Sequence, residues 1–409
     1  MSQTHDIPGF AYSEGGVVAP LGFLASGVSA GLKAGGKRDL ALVVAEQTVP
    51  AAGVFTTNKV VAAPVIVSRR HIVGGLLRAV VINAGNANAC TGVQGERDAL
   101  ATADALANAL ECAPDEVVVS STGVIGVPLP VGKLLAAIPE AVGALDSRNG
   151  DDAATAIMTT DTFAKQTAVT LDLDGRRISV GGMAKGSGMI APNMATMLSV
   201  ITTDAPLSSA ACDRALRQAV ATTFNRVTVD MDMSTNDMCV LLASGAAGGS
   251  EIGPDDPRFG IVAEAIHEVA GELARMIARD GEGATKLVTV TVAGAASPGD
   301  AEKAAFAIAN SPLVKTALFG NDANWGRVAG ALGRSGAVLD PERFDIDFAG
   351  IAVCRGGAAV GFDEAEALAA LSQPEVTIGV GLNLGDGEAT VWTCDLTYEY
   401  VRINGEYRS

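Results

Sequence analysis

Short apolar runs alternate with polar and glycine-rich breaks along the whole chain. This pattern predicts strands near residues 39–45, 52–57, 64–68, 78–83, 117–121, 166–183, 196–201 and 287–294. Longer alanine-rich or amphipathic segments predict helices near residues 94–111, 131–142, 150–158, 208–222 and 256–279. The chain end alternates as a strand to Ile403. We therefore predict an α/β (α+β) protein in which two layers of sheet are covered by helices.

Residues 185–198 (KGSGMIAPNMATML) carry an unusual combination of side chains. Glycines and a proline interrupt an apolar run, so a bent backbone is expected inside packed protein. Lys185 supplies a cation, and Thr196 supplies a hydroxyl between Ala195 and Met197. The simplest interpretation is a loop that ends in a buried strand, and the alternative is a strained loop that positions the Thr196 hydroxyl.

Three further loops carry candidate chemistry, each with a simpler structural explanation. Thr122 and Gly123 follow a predicted strand, where a glycine N–H beside a hydroxyl either stabilises an oxyanion or forms an ordinary turn. The hydroxyl cluster at residues 159–162 (TTDT) is typical of a capped helix end. Glu282 lies between two glycines at a predicted helix–strand junction, where it either faces a cleft or is an exposed turn acid.

Two loops imitate binding motifs without completing them. Residues 31–38 (GLKAGGKR) nearly match the phosphate-binding GxxxxGK pattern, but Arg38 occupies the position of the Ser or Thr that binds Mg²⁺. The acidic residues within 224–238 lack the spacing and the closing glutamate of an EF-hand. We interpret this second run as a hydrogen-bonded structural or substrate-side loop.

Composition narrows the partners to small metabolites. The 409 residues include 46 acids and 29 bases, a net charge of −17 that disfavours nucleic acids and anionic membranes. No apolar run approaches the roughly 18–20 residues of a membrane span, and the first residues lack a targeting signal, so a cytoplasmic protein is expected. Three histidines and six scattered cysteines have no metal-ligand spacing, so neither metal nor cofactor is predicted.

The Thr196 hydroxyl is too weakly acidic to act as a nucleophile without help. It needs a neighbouring base or a free α-amine on the same residue. Cleavage of the Ala195–Thr196 peptide by an N→O acyl shift would give Thr196 both groups. Lys185 would then offer a cation to a substrate carboxylate, and Thr122 with Gly123 would offer an oxyanion site.

Motifs along the chain resemble the glutamate N-acetyltransferase family, the ornithine acetyltransferases of arginine biosynthesis. They are FTTNK (55–59), NAGNANACTG (83–92), STGVIG (121–126), TTDT (159–162), KGSGMIAPNMATML (185–198), STND (234–237), EGATK (282–286), ANWGR (323–327) and YVRINGEYRS (400–409). Their order and their coverage of the chain make the resemblance specific.

The resemblance implies a precursor that cleaves itself between Ala195 and Thr196. The products would be an α chain of residues 1–195 and a β chain of residues 196–409, which stay together as one fold and assemble as two α and two β chains. Thr196 would transfer acetyl from N²-acetylornithine to glutamate, and some members of the family also take acetyl from acetyl-CoA.

The resemblance also implies which residues form the site. Thr122 and Gly123 would form the oxyanion hole. The residues that would hold the substrate, in addition to Thr196, are Thr159, Lys185, Glu282, Asn404 and Ser409. Thr159 is preferred over Thr160 from its distance along the chain to Lys185, and Ser409 stands where many relatives have threonine.

Two other functions remain open from the residues alone. A threonine-nucleophile amidohydrolase or aminopeptidase would share the cleavage but send the acyl group to water. A non-catalytic binding protein for acetylated amino acids would stay a single chain. Acetyl transfer against acetate release separates the first alternative, and intact mass separates the second.

Overall fold

The computed structural model describes residues 9–191 and 197–406, so the predicted site residues Ala195, Thr196 and Ser409 lie outside the described part. Its strands are β1 Ala11–Ser13, β2 Phe23–Val28, β3 Leu40–Phe55, β4 Leu76–Asn86, β5 Val117–Val124, β6 Lys165–Leu173, β7 Arg176–Lys185, β8 Leu198–Thr203, β9 Met238–Ala243, β10 Leu287–Ala295, β11 Asp345–Phe348, β12 Ile351–Arg355, β13 Ala358–Ala359, β14 Glu375–Gly381 and β15 Gly387–Cys394.

The helices alternate with these strands along the chain. They are α1 Ala63–His71, α2 Gly92–Leu110, α3 Val131–Gly143, α4 Gly150–Ala156, α5 Ser209–Thr222, α6 Phe259–Arg279, α7 Pro298–Ala309, α8 Pro312–Phe319, α9 Trp325–Gly333, α10 Glu364–Leu371 and α11 Tyr398–Glu406. None of the helices within residues 9–191 and 197–406 is long and apolar enough to cross a membrane.

The larger sheet is bent into two halves by the long strand β3. The strand order is β1-β6-β7-β8-β9-β3-β4-β5, with β2 also paired to β3. The first part of β3 pairs with β2 and β4, and a register shift between Val44 and Val49 precedes its pairing with β9 from Ala51 onward. We call β2, the first part of β3, β4 and β5 the back half, and the remaining strands the front half.

The alternation of buried side chains shows how the layers stack. Along β3, Leu40 and Leu42 pack against helices α2 and α3, whereas Ala41 and Val43 belong to a cluster shared with the front half. Along β9, Leu242 belongs to that shared cluster, and alternate residues pack against α5 and α6. Because side chains alternate between the faces of a strand, the order of layers is helices, front half, back half, helices.

The second sheet forms a separate core after helix α6. Its strand order is β13-β12-β11-β14-β10-β15, and β10 pairs in parallel with β14 and antiparallel with β15. Helices α7 and α9 pack against it through residues such as Ala304, Ile308 and Val328. The connection into β10 contacts the segment after β7 through the Glu282 N–H, and helix α11 contacts that connection through Asn404. These contacts bring both segments to the site. The predicted α/β class with helix-covered sheets is thus confirmed.

Two predicted strands were wrong because tertiary contacts and local caps outweigh β propensity. Residues 64–68 lie in helix α1, which has Pro64 in its first turn, three basic residues in its last turn, and Ser68 bonded to the Val119 backbone. The chain end is helix α11. There, the Thr397 hydroxyl accepts the Glu399 N–H at 3.1 Å, and Arg402 pairs with acids one turn to either side.

We predict that the contact between the two sheet halves is a main source of stability. Leu242 is 0% exposed in that contact, so Leu242→Ala should lower the free energy of unfolding by about 2–5 kcal/mol. Leu313→Ala is the matched control, because Leu313 is 61% exposed and should change it by less than about 0.5 kcal/mol. Chemical denaturation measures both variants, and equal losses would contradict the layered packing.

Candidate active site

Six of the predicted site residues line one cavity where the two halves of the larger sheet meet the second core. The cavity has a volume of about 90 Å³. The predicted residues are Thr122, Gly123, Thr159, Lys185, Glu282 and Asn404, and the others that line it are Ala87, Ile125, Thr160, Gly188, Met189, Ser234 and Asn236. Thr160 therefore reaches the cavity as well as Thr159.

The predicted oxyanion residues, Thr122 and Gly123, lie at the end of β5, in the back half of the larger sheet. Gly123 pairs with Gly85 of the parallel strand β4 and has φ of +130°. A Cβ atom at Gly123 would lie 2.4 Å from the Gly85 carbonyl carbon, so no other residue fits here without moving the backbone. Thr122 next to it is buried, and its Oγ1 accepts a hydrogen bond of 3.3 Å from Lys185 Nζ.

Lys185 ends strand β7 of the front half and brings a buried cation to the cavity. Lys185 is 3% exposed, and its burial lowers the pKa of its ammonium. The carboxylate of Asp161 opposes that effect, as do those of Asp237 and Glu282 to a smaller degree. The charge state of Lys185 thus depends on the acids around it.

Asp161 is the first of these acids and belongs to a buried chain of charges that the sequence did not reveal. Its Oδ1 accepts the Gly186 N–H at 2.8 Å and pairs with Lys165 Nζ at 2.7 Å, and its Oδ2 accepts the Thr159 N–H at 2.9 Å. Although burial alone would raise the pKa of Asp161, the cations of Lys185 and Lys165 hold it below its usual range. Lys165 also pairs with Asp280, which receives the Thr162 N–H.

Glu282 comes from the connection between α6 and β10 and faces Lys185 across the cavity region. Its N–H donates to the Ser187 carbonyl at 3.1 Å, which ties this connection to the segment after β7. Its Oε2 accepts a hydrogen bond of 2.7 Å from Asn404 Nδ2 on helix α11. A Cβ atom at Gly188 would lie 2.3 Å from the Glu282 carboxyl carbon, so the glycine makes room for the carboxylate.

Several functional side chains were missed by sequence reasoning. Asp161 was interpreted only as part of a hydroxyl cluster, and Lys165 was not singled out. Lys165 is the first residue of β6 and is fully buried, and a lysine is almost never fully buried unless it is paired. Among the described residues, no group of three or more His, Cys, Asp or Glu residues is arranged to hold a metal ion.

The arrangement suits chemistry on a small molecule that carries both charges. A buried ammonium and a carboxylate lie in one cavity with the glycine turn at Gly123, whose φ is +130°. An ester or amide carbonyl placed at that turn would be polarised while the charged ends of the molecule are held. The site is that of an acyltransferase.

Comparison with known proteins identifies the family. Residues 24–409 match the model of the ArgJ family, so the chain belongs to that family. It is an enzyme of acetyl transfer in arginine biosynthesis, as the motifs of the sequence predicted.

The relatives share most of the chain. The arginine biosynthesis bifunctional protein ArgJ of Symbiobacterium thermophilum is 53% identical over 97% of this chain and 99% of its own. The crystal structure of the same-named protein of Bacillus halodurans is 46% identical with a TM-score of 0.51, covering 52% of this chain and 100% of that chain. An ornithine acetyltransferase from Mycobacterium tuberculosis, complexed with ornithine, is 48% identical with a TM-score of 0.42, covering 45% and 98%.

We predict that Asp161 keeps Lys185 protonated. The variant Asp161→Asn keeps an oxygen for the Gly186 N–H but removes the charge that opposes the lowering of the Lys185 pKa. Lys185 then loses its proton at lower pH, so the alkaline limb of the kcat/KM profile for acetyl transfer should move to lower pH. At the alkaline end, kcat/KM should fall by roughly tenfold, the scale of one charge interaction in a buried site.

The matched control is Asp146→Asn. This variant also removes a negative charge, but Asp146 pairs with the exposed Arg148. Its pH profile should follow that of the unmodified enzyme. An unchanged alkaline limb in Asp161→Asn would rule out this role for Asp161.

Proposed function

We propose that the enzyme transfers acetyl from N²-acetylornithine to glutamate through an acetyl-Thr196 intermediate. The observation that carries the proposal is the convergence of Thr122, Gly123, Lys185, Glu282 and Asn404 on one cavity, although they come from four separate parts of the chain. Membership of the ArgJ family supports the same chemistry. Thr159 and Ser409 complete the proposed set of substrate contacts.

The proposed reaction proceeds in two acyl transfers. The α-amine of Thr196, freed by cleavage after Ala195, takes the proton of the Thr196 hydroxyl, and the hydroxyl oxygen attacks the acetyl carbonyl. The Gly123 N–H and the Thr122 hydroxyl stabilise the oxyanion, and ornithine leaves with the proton. The glutamate amine then attacks the acetyl ester, and the Thr196 hydroxyl is restored.

Exclusion of water decides whether this ester is useful. An amide is broken and an amide is made, so transfer costs little net free energy, whereas hydrolysis would waste the acetyl group. Thr122, Lys185 and Glu282 are all less than 10% exposed, which supports a largely closed site around the proposed acyl group. We assign Lys185 to the substrate carboxylate and Glu282 to the ornithine ammonium, because opposite charges pair.

Self-cleavage at Ala195–Thr196 is part of the proposal. The solved Bacillus halodurans chain is matched over its full length by 52% of this chain. That share is what residues 196–409 make of the sequence, which supports a two-chain enzyme. We further propose that two α and two β chains assemble, and native mass spectrometry with denatured intact mass tests both statements.

We predict that Thr196→Ala gives an uncleaved single chain of 41.2 kDa without acetyl transfer. The reason is that neither the nucleophile nor the attacking group of the N→O shift remains. Thr196→Ser keeps the hydroxyl and should still cleave. Thr203→Val, which loses hydrogen bonds to the Ser179 carbonyl and from the Ala205 N–H at the far end of β8, is the structural control and should cleave normally.

Two observations would contradict the proposal. A cleaved or active Thr196→Ala protein would remove the nucleophile assignment. Release of acetate without formation of N-acetylglutamate from labelled acetylornithine and glutamate would favour the amidohydrolase alternative.

The relatives are named bifunctional proteins, which favours a second acetyl donor. We propose acetyl-CoA, which would acetylate the same Thr196 without an ornithine product. Formation of N-acetylglutamate from acetyl-CoA and glutamate, with acetylornithine absent, tests this activity. No product under those conditions limits the enzyme to acetylornithine.

A further inference from the structure

The loop formed by residues 234–237 (STND) connects the two halves of the site, and the proposed substrate contacts do not explain it. Asn236 Nδ2 donates to the carbonyls of Ala87 at 2.7 Å and Ser121 at 2.9 Å, just before the oxyanion residue Thr122. Asp237 directly precedes strand β9, which pairs in parallel with β8. The loop therefore contacts both the oxyanion strand and the strand that follows the cleavage point.

Asp237 fixes the first described residue after that point. Its Oδ1 accepts the Met197 N–H at 3.0 Å, and the Met197 carbonyl accepts the Met238 N–H at 3.1 Å. The Met197 N–H belongs to the peptide group that joins Met197 to Thr196, so this hydrogen bond acts on the residue directly after the proposed nucleophile. The side chain of Asp237 is fully buried, so water does not share this task.

The second oxygen of Asp237 has no comparable partner. Among the described residues no hydrogen-bond donor reaches Asp237 Oδ2. Burial raises the pKa of Asp237 well above its ordinary value, while the Thr56 side chain, the Met197 N–H and the Lys185 cation favour the ionised form. A buried carboxyl with a spare oxygen is costly, which is typical of a group retained for function.

We propose that Asp237 is a positioning residue that holds the chain immediately after Thr196 and thereby sets the rates of both self-cleavage and acetyl transfer. This inference rests on the proposed nucleophile. It assigns no substrate contact to Asp237, since substrate is held by Lys185 and Glu282 on other elements. The expected defect is therefore in the reacting geometry, with substrate affinity preserved.

The test compares Asp237→Ala, which removes the oxygen that accepts the Met197 N–H, with the unmodified enzyme. Time-resolved intact mass gives the rate of cleavage, and an acetyl-enzyme burst counts the active sites for kcat. We expect both rates to fall by at least about tenfold and KM for acetylornithine to stay within about twofold, because misplacement by about 1 Å is enough for such losses. Asp237→Glu keeps the acid but displaces it. Its cleavage rate and kcat should lie between those of Asp237→Ala and those of the unmodified enzyme.

Asp204→Asn is the matched control for a purely structural effect. Asp204 follows the opposite end of β8, is 1% exposed, and accepts the N–H groups of Ser179 at 2.7 Å and Leu21 at 3.1 Å. This variant should lose thermal stability but keep its cleavage rate and its kcat.

The outcomes separate the two proposals. Cleavage and kcat of Asp237→Ala equal to those of Asp204→Asn would overturn the role of Asp237, and if Asp237→Ala does not fold, Asp237→Glu decides by the same criterion. Failure of the unmodified chain to cleave at Thr196 would instead overturn the proposed function.

Discussion

The buried ammonium of Lys185 is the interaction on which the organisation of the site depends. An unpaired cation at 3% exposure would be expensive, so the fold surrounds it with acids. Asp161 is the principal one, and it is itself balanced by Lys165, which is paired in turn with Asp280. This alternation of charges joins the end of β7, the start of β6 and the end of α6. The charges that keep Lys185 in balance therefore also connect three elements of the fold.

Close backbone approach is the second constraint, and glycine supplies it at two points. At Gly123 the oxyanion turn touches the neighbouring strand at Gly85, and at Gly188 the backbone makes room for the Glu282 carboxylate. A side chain at either position would separate groups that must share one cavity. Glycines that look like flexible breaks in the sequence are thus positions of close packing in the structure.

The helix-covered sheets and six of the residues that line the cavity could be predicted from the sequence, because periodicity is local and the family motifs contain those six residues. The helix at residues 64–68 could not, since its apolar β-branched residues fit a strand equally well until the contact between Ser68 and Val119 is known. The charge chain was missed for a similar reason. Lys165 and Asp280 are 115 positions apart in sequence, and only the fold brings them together.

The same fold explains how the proposed chain break before Thr196 is compatible with an intact protein. Strand β8 pairs antiparallel with β7 from Leu198 opposite Lys185 to Thr203 opposite Val180, and it pairs in parallel with β9 on its other side. All six of its residues are buried. A break between residues 195 and 196 removes none of these strand pairs. The connection from Lys185 to Leu198 therefore need not remain covalent for β8 to stay in place, because neighbouring strands hold it on both sides.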